Sequence, residues 1–164
     1  MWDVCHAQAT EHDSVLTCFD WSTGEPNLLA TSQLNGICHI WDLNVLSVKE
    51  QLLAHEKQVN YLTFTSNQNE FATAGQDGQV RLFDLRALQT STIAFQSDRP
   101  ITQVHCNKSN PYQLALVLED ANTVLMLDTR YSSTPQPTLS SENVITTAGW
   151  LPGQSILCSA DEGS

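Results

Sequence analysis

A period of about 43 residues constrains this chain more than any other feature of its sequence. Trp41-Asp42 recurs as Phe83-Asp84 and again as Leu127-Asp128. An independent landmark, the end of an earlier segment in each unit, falls at Trp21, Phe64, Cys106 and Trp150 with the same spacing. The stretches between align without a gap in the first two copies, "NLLATSQLNGICHIWDL" (27–43) over "NEFATAGQDGQVRLFDL" (69–85). The third, "YQLALVLEDANTVLMLDT" (112–129), fits with one extra residue after Asp120, and a fourth begins at "VITTAGWLPGQSILCSADEGS" (144–164). Self-similarity at such a period means stacked copies of one supersecondary unit, none able to bury its own apolar face alone.

Each unit reads as four short strands. In the second they are expected at 59–64, 70–75, 79–85 and 91–96. Asn35-Gly36 and Asp77-Gly78 supply the positive φ of a tight hairpin between the second and third strands. Pro135 and Pro137 fall in the last strand of the third unit, which must then be an edge or outer strand, because proline lacks an amide donor.

Four antiparallel strands repeated with a Trp-Asp pair identify a WD-repeat β-propeller, an all-β fold. The resemblance implies about three complete blades plus partial blades at both ends, an open arc or part of a seven-bladed ring. The expected divisions are 1–13 (end of a preceding blade), 14–54, 55–99, 100–142 and 143–164 (start of a further blade). Open sheet edges at the two ends would favour self-association.

The resemblance also implies a buried polar relay in a blade: His55, in "LLAHEKQV", bonding Asp77, with Thr73 continuing toward the position of the Trp. Phe83 stands at that position, so the last link is lost in this unit. The first unit has Thr31 and Trp41 but Asn35 in place of the acid, and no histidine reads as well placed. The third has Asp120 but Leu116 in place of the hydroxyl. These units are expected to rest on apolar packing. A His/Asp/hydroxyl set superficially resembles a catalytic triad. Here it sits inside a repeat unit with no oxyanion-hole glycine loop, so it reads as structural.

The charge balance excludes other classes. Eighteen acidic residues against seven basic give a net charge of −11, and the basic residues are scattered singly. Neither a phosphate backbone nor an anionic membrane is a suited partner. The run "MWDVCHAQATEHD" lacks the pattern of a signal peptide. Five widely spaced cysteines, never in a CxxC arrangement, read as reduced apolar residues of an intracellular protein. Cys5-His6 and Cys38-His39 do not have metal-ligand spacing, and no nucleotide-binding glycine loop is present. No metal and no cofactor are expected.

Three stretches, 16–43, 52–64 with 71–86, and 91–116, resemble the scaffold proteins typified by plant Transparent Testa Glabra and its animal homologue. This resemblance implies a non-enzymatic adaptor in the cytoplasm and nucleus that assembles kinases or transcription regulators. It implies as an alternative a substrate receptor of a cullin-RING ubiquitin ligase, docking through a WD-x-Arg ending. "FDLR" ends in Arg86 and "LDTR" in Arg130. Against docking stands an ordinary arginine paired with an acid of its own blade. A propeller enzyme is the remaining alternative, but inner segments such as "VNYLTF" and "ITQVHC" offer no obvious polar cluster for it.

Overall fold

The computed structural model describes residues 14–131, 135–151 and 157–161. The segment expected to end a preceding blade, 1–13, lies outside them. The described chain is a succession of antiparallel meanders, with no helix among the described residues.

The first sheet holds β1 (Leu16–Trp21), β2 (Leu28–Gln33), β3 (Ile37–Asp42) and β4 (Ser47–Leu53). The second holds β5 (Val59–Phe64), β6 (Glu70–Gly75), β7 (Gln79–Asp84) and β8 (Ser91–Gln96). The third holds β9 (Ile101–Cys106), β10 (Gln113–Leu118), β11 (Thr123–Asp128) and β12 (Gln136–Ser140). A two-stranded sheet of β13 (Ile145–Trp150) and β14 (Leu157–Asp161) follows.

The turn chemistry works as residue type demands. Gly36 (φ 85°) and Gly78 (φ 77°) occupy the left-handed region in the first two β2–β3-type hairpins. The third hairpin has no glycine, and Asp120 takes φ 51° instead, which a short polar side chain tolerates better than most. Pro137 lies in β12, the outermost strand of its sheet, as its missing donor requires.

Successive sheets pack through their first strands. β1 meets β5, β5 meets β9 and β9 meets β13, while β2, β6 and β10 back onto the following first strand. The second strands are therefore buried nearly throughout, whereas β4 and β12 are largely exposed and β8 is half-exposed. Burial falls from the inside of the arc outward, the gradient of a propeller blade. The apolar clusters straddle the seams: one joins Leu28, Ala30 and Ile40 of the first sheet to Leu62, Phe64 and Phe71 of the second. A second joins Ala72 and Val80 to Val104 and Leu116.

β1 departs from its repeats. Leu16, Phe19 and Trp21 are exposed, while their counterparts Val59, Leu62 and Phe64 are fully buried. Each later first strand has a sheet before it to cover these positions, and β1 has none among the described residues.

Candidate functional site

His55, just ahead of β5, is 1% exposed. Its Nδ1 lies 2.9 Å from Asp77 Oδ1 and 3.0 Å from Oδ2, and its Nε2 lies 2.8 Å from Thr73 Oγ1. The carboxylate can only accept, so the neutral ring carries its proton on Nδ1, and Thr73 donates to Nε2. Burial lowers the His55 pKa, outweighing the neighbouring carboxylate that would raise it. Asp77 Oδ1 also accepts the backbone N–H of Gln79 at 3.1 Å, which closes the hairpin. Both ring nitrogens and the carboxylate are thus committed to bonds within the blade.

The first sheet holds the complementary half of this network. Trp41 Nε1 donates to Thr31 Oγ1 at 3.0 Å, the link that Phe83 cannot make in the second sheet. Asn35 Oδ1 accepts the N–H of Ile37 at 3.1 Å, repeating the hairpin role of Asp77 without an imidazole. His12 precedes His55 by one repeat period, a correspondence that the aligned spacing makes visible; it lies outside the described residues. In the third sheet Leu116 is fully buried where Thr73 stands in the second.

The acid of the Trp-Asp pair has a role that sequence reasoning did not assign. Asp42, Asp84 and Asp128 each end a third strand, and each Oδ1 accepts the backbone N–H two residues on, at 2.9, 2.9 and 3.0 Å. The aromatic-plus-acid spacing therefore marks a capped turn, while the side chain ahead of it packs: Phe83 and Leu127 are buried.

The two arginines are paired with these acids. Arg86 Nε and Nη2 fork onto Asp84 at 2.9 and 2.6 Å, and Arg130 does the same onto Asp128 at 3.0 and 2.6 Å. The Arg86 hydrogen bonds hold the Asp84 carboxyl down at about 2. Arg130 also lies over the Tyr112 and Tyr131 rings, 4.8 and 5.3 Å from their centroids. The Arg86 side chain is 70% exposed and that of Arg130 46%. The pairing with an acid of the same blade is present, and Arg86 is the more accessible of the two.

The inner strands bring together a group that the sequence did not advertise. Phe19 and Asp20 of β1, Tyr61 and Thr63 of β5, His105 of β9 and Trp150 of β13 line one groove of about 340 Å³. Asp20 Oδ2 accepts the N–H of Phe64 (2.8 Å) and the hydroxyl of Thr63 (3.1 Å), and its Oδ1 accepts the N–H of Trp21 (2.9 Å). Trp150 Nε1 donates to the His105 carbonyl (3.1 Å), and Tyr61 packs on the His105 ring at 4.8 Å. Adjacent segments in space lie some 40 residues apart in sequence, so no local motif could have signalled this convergence.

Acid is expected to unfold the chain earlier than its carboxylates alone would. Burial lowers His105 from 6.5 to about 4 and lowers His55 as well. Below pH 6.5 the unfolded chain takes up protons that the folded chain refuses. Stability therefore falls as pH drops from 6.5 toward 4, by up to about 1.4 kcal/mol per pH unit from His105, and His55 acts in the same direction. Glu70, raised by burial, opposes this weakly just above its ordinary range. Urea midpoints measured between pH 7 and 4.5 should decline steadily; a flat profile would contradict the burial of these imidazoles.

Among the described residues no group of three or more His, Cys, Asp or Glu side chains could hold a metal ion. No helix among them is long and apolar enough to cross a membrane.

Comparison with known proteins sets these features in context. The family described as WD domain, G-beta repeat matches residues 4–42 and 47–84. The DDB1- and CUL4-associated factor 7 homolog of Dictyostelium discoideum is 36% identical, over 89% of this chain and 46% of that protein. The GATOR2 complex protein Wdr24 of Drosophila melanogaster is 35% identical over 55% of this chain and 11% of that protein. The crystal structure of the Myceliophteria thermophila Cps50 (Swd1) β-propeller domain superposes with a TM-score of 0.76 at 19% identity. That superposition covers 91% of this chain and 49% of the other. The chain thus spans less than half the length of the curated relatives named here.

Proposed function

The chain belongs to the WD-repeat family, and from that we infer that it is a non-enzymatic protein-interaction adaptor, assembling kinases or transcription regulators in the cytoplasm and nucleus. One observation carries this reading: in the His55–Asp77–Thr73 set, the triad-like arrangement read from the sequence, both ring nitrogens are occupied and His55 and Thr73 are buried. Its work is to hold a blade rigid, and rigid blades present fixed surfaces to partners. The similarity to a DDB1- and CUL4-associated factor homolog over 89% of the chain supports the same class.

The acidic balance favours basic protein surfaces and disfavours nucleic acid. Arg86 and Arg130, two of the seven basic residues, are already neutralised by Asp84 and Asp128. The units 14–54, 55–99 and 100–142 serve in this reading as three successive blades. The test is capture of candidate kinases, transcription regulators and cullin-ligase components by the chain, alongside a broad hydrolase screen. Retrieval of partners without turnover is expected; turnover with no partner would overturn the reading.

A second reading, a substrate receptor of a cullin-RING ligase, is favoured by the accessibility of Arg86. Its guanidinium is oriented by Asp84 yet exposed, so its remaining N–H donors are free of the sheet and able to reach a partner carboxylate. Arg86→Ala should leave stability within about 1 kcal/mol, because exposed ion pairs contribute little. Co-purification of DDB1 should drop by at least about tenfold, the loss of roughly one desolvated charge pair. Unchanged DDB1 recovery would sink the docking role of Arg86, and the double change with Arg130→Ala extends the test to the second copy.

A further inference from the structure

We propose that Asn35 is a modification site, where spontaneous deamidation through a cyclic imide converts the turn between β2 and β3 into an aspartyl or an isoaspartyl form. The inference is independent of the adaptor reading.

Asn35-Gly36 is the one Asn-Gly pair in the sequence. Glycine carries no Cβ to obstruct approach to its own backbone nitrogen. Asn35 is exposed, and its Oδ1 accepts the Ile37 N–H at 3.1 Å. That bond folds the carboxamide back over the Gly36 peptide, as in an Asx turn. The Gly36 N–H donates to the Gln33 carbonyl oxygen at 3.3 Å, longer than the usual range for such a bond. Local opening of this exposed turn frees the nitrogen for attack.

The Gly36 nitrogen gives its proton to solvent base and bonds to Asn35 Cγ. The carboxamide nitrogen takes up a proton from solvent and leaves as ammonia, which closes a succinimide ring. Water then opens the ring at either carbonyl carbon. Opening at Cγ breaks the new bond to nitrogen and yields an aspartyl residue in an ordinary main chain. Opening at the main-chain carbonyl breaks the original peptide bond. The chain then runs through Cβ and Cγ, an isoaspartyl linkage with a free α-carboxylate.

The structure separates the two products. An aspartyl side chain keeps an acceptor for the Ile37 N–H, the role that Asp77 Oδ1 plays for Gln79 in the second sheet. The isoaspartyl linkage lengthens the main chain by one carbon just ahead of Gly36, where there is no slack. The Gly36 carbonyl accepts the N–H groups of Ala54 and His55 at 2.9 and 3.2 Å, and a Cβ built on Gly36 would collide with the His55 carbonyl oxygen. The distortion therefore reaches the link into the second sheet, where His55 begins the relay. The matching Asp77-Gly78 turn is protected, because a carboxylate is a poor electrophile and both its oxygens lie on His55 Nδ1.

The test is ageing of the full 164-residue chain at neutral pH and body temperature, followed by peptide mass spectrometry. Isoaspartate is read by methylating its free α-carboxylate with isoaspartyl methyltransferase and labelled S-adenosylmethionine. Asn35 should convert at least about tenfold faster than Asn44, Asn122 and Asn143, a barrier lower by about 1.4 kcal/mol. Those three are exposed as well but precede Val45, Thr123 and Val144, so the comparison isolates the glycine. Asn35→Gln, whose longer side chain closes the ring far more slowly, should lose methyl acceptance. In the isoaspartyl fraction the Ala54 and His55 amides should exchange with deuterium about tenfold faster, the effect of losing roughly one backbone hydrogen bond. Asn35→Asp should keep the wild-type exchange there.

Conversion at Asn35 no faster than at the three control asparagines, or methyl acceptance that survives Asn35→Gln, would overturn the site. Unchanged exchange at Ala54 and His55 in the isoaspartyl fraction, or faster exchange in Asn35→Asp, would overturn the separation of the two products.

Discussion

Phe71→Ala is expected to remove about 3–5 kcal/mol of folding stability, a large share of the 5–15 kcal/mol that holds a typical domain together. Phe71 is fully buried in β6. Its ring stacks on Phe83 of β7 at 5.2 Å with an interplanar angle of 11°, and tilts against Phe64 of β5 at 5.7 Å. With Val59 and Leu62, the three rings are the second sheet's share of the cluster that also contains Leu28, Ala30 and Ile40 of the first. Truncation therefore opens a cavity at the seam between two blades, where neither sheet can collapse into it without disturbing the other. Urea unfolding followed by tryptophan fluorescence measures the loss. A cost below about 1 kcal/mol would mean that the seam between the first two sheets is not packed as described.

The second large effect is expected at Gly75→Val, about 3 kcal/mol, although the wild-type residue has no side chain to lose. A Cβ at Gly75 would fall 2.3 Å from His55 Nδ1 and 2.5 Å from Asp77 Oδ1. Real Cβ atoms do not sit so close, so the imidazole and the carboxylate must part. The cost combines overpacking with a buried histidine deprived of its acceptor. Gly149→Ala serves as the control, because its Cβ meets nothing within 4 Å; its effect should stay within about 0.5 kcal/mol. The His55 ring resonances report the mechanism directly. Loss of stability with an intact His55–Asp77 bond would place the damage elsewhere.

Much of this architecture was readable because propeller physics is written locally. The strands expected at 59–64, 70–75 and 91–96 are β5, β6 and β8, and the third strand is one residue shorter than expected, ending at Asp84. Asp84 ends it because its carboxylate turns to cap the next turn instead of continuing the ladder. Asn35-Gly36 and Asp77-Gly78 marked their hairpins through the one conformation that only glycine adopts cheaply. The histidine, acid and hydroxyl of the second unit could be named together because the resemblance to WD-repeat blades assigns those positions, and only the second unit fills all three.

What stayed hidden depends on contacts between copies. Asp20, Tyr61, His105 and Trp150 each look unremarkable within their own unit, where Asp20 aligns with Thr63 and His105 and not with another acid. Their convergence arises from the packing of β1, β5, β9 and β13 side by side. The pairing of Arg86 with Asp84 was equally open in the sequence. Two residues' separation across a tight turn allows both the internal fork and an outward reach, and side-chain geometry decides between them.

The claim that the chain is an adaptor and not an enzyme is tested most directly by size-exclusion chromatography of the purified chain with purified partners. DDB1, a candidate kinase and a candidate transcription regulator are the partners to mix with it, in separate runs and together. The account predicts that at least one co-elutes with the chain as a stoichiometric complex, and that the complex survives the loss of the His55–Asp77 bond only as far as the blade itself does. Separate elution of the chain from every partner, with the chain folded by circular dichroism, would contradict it.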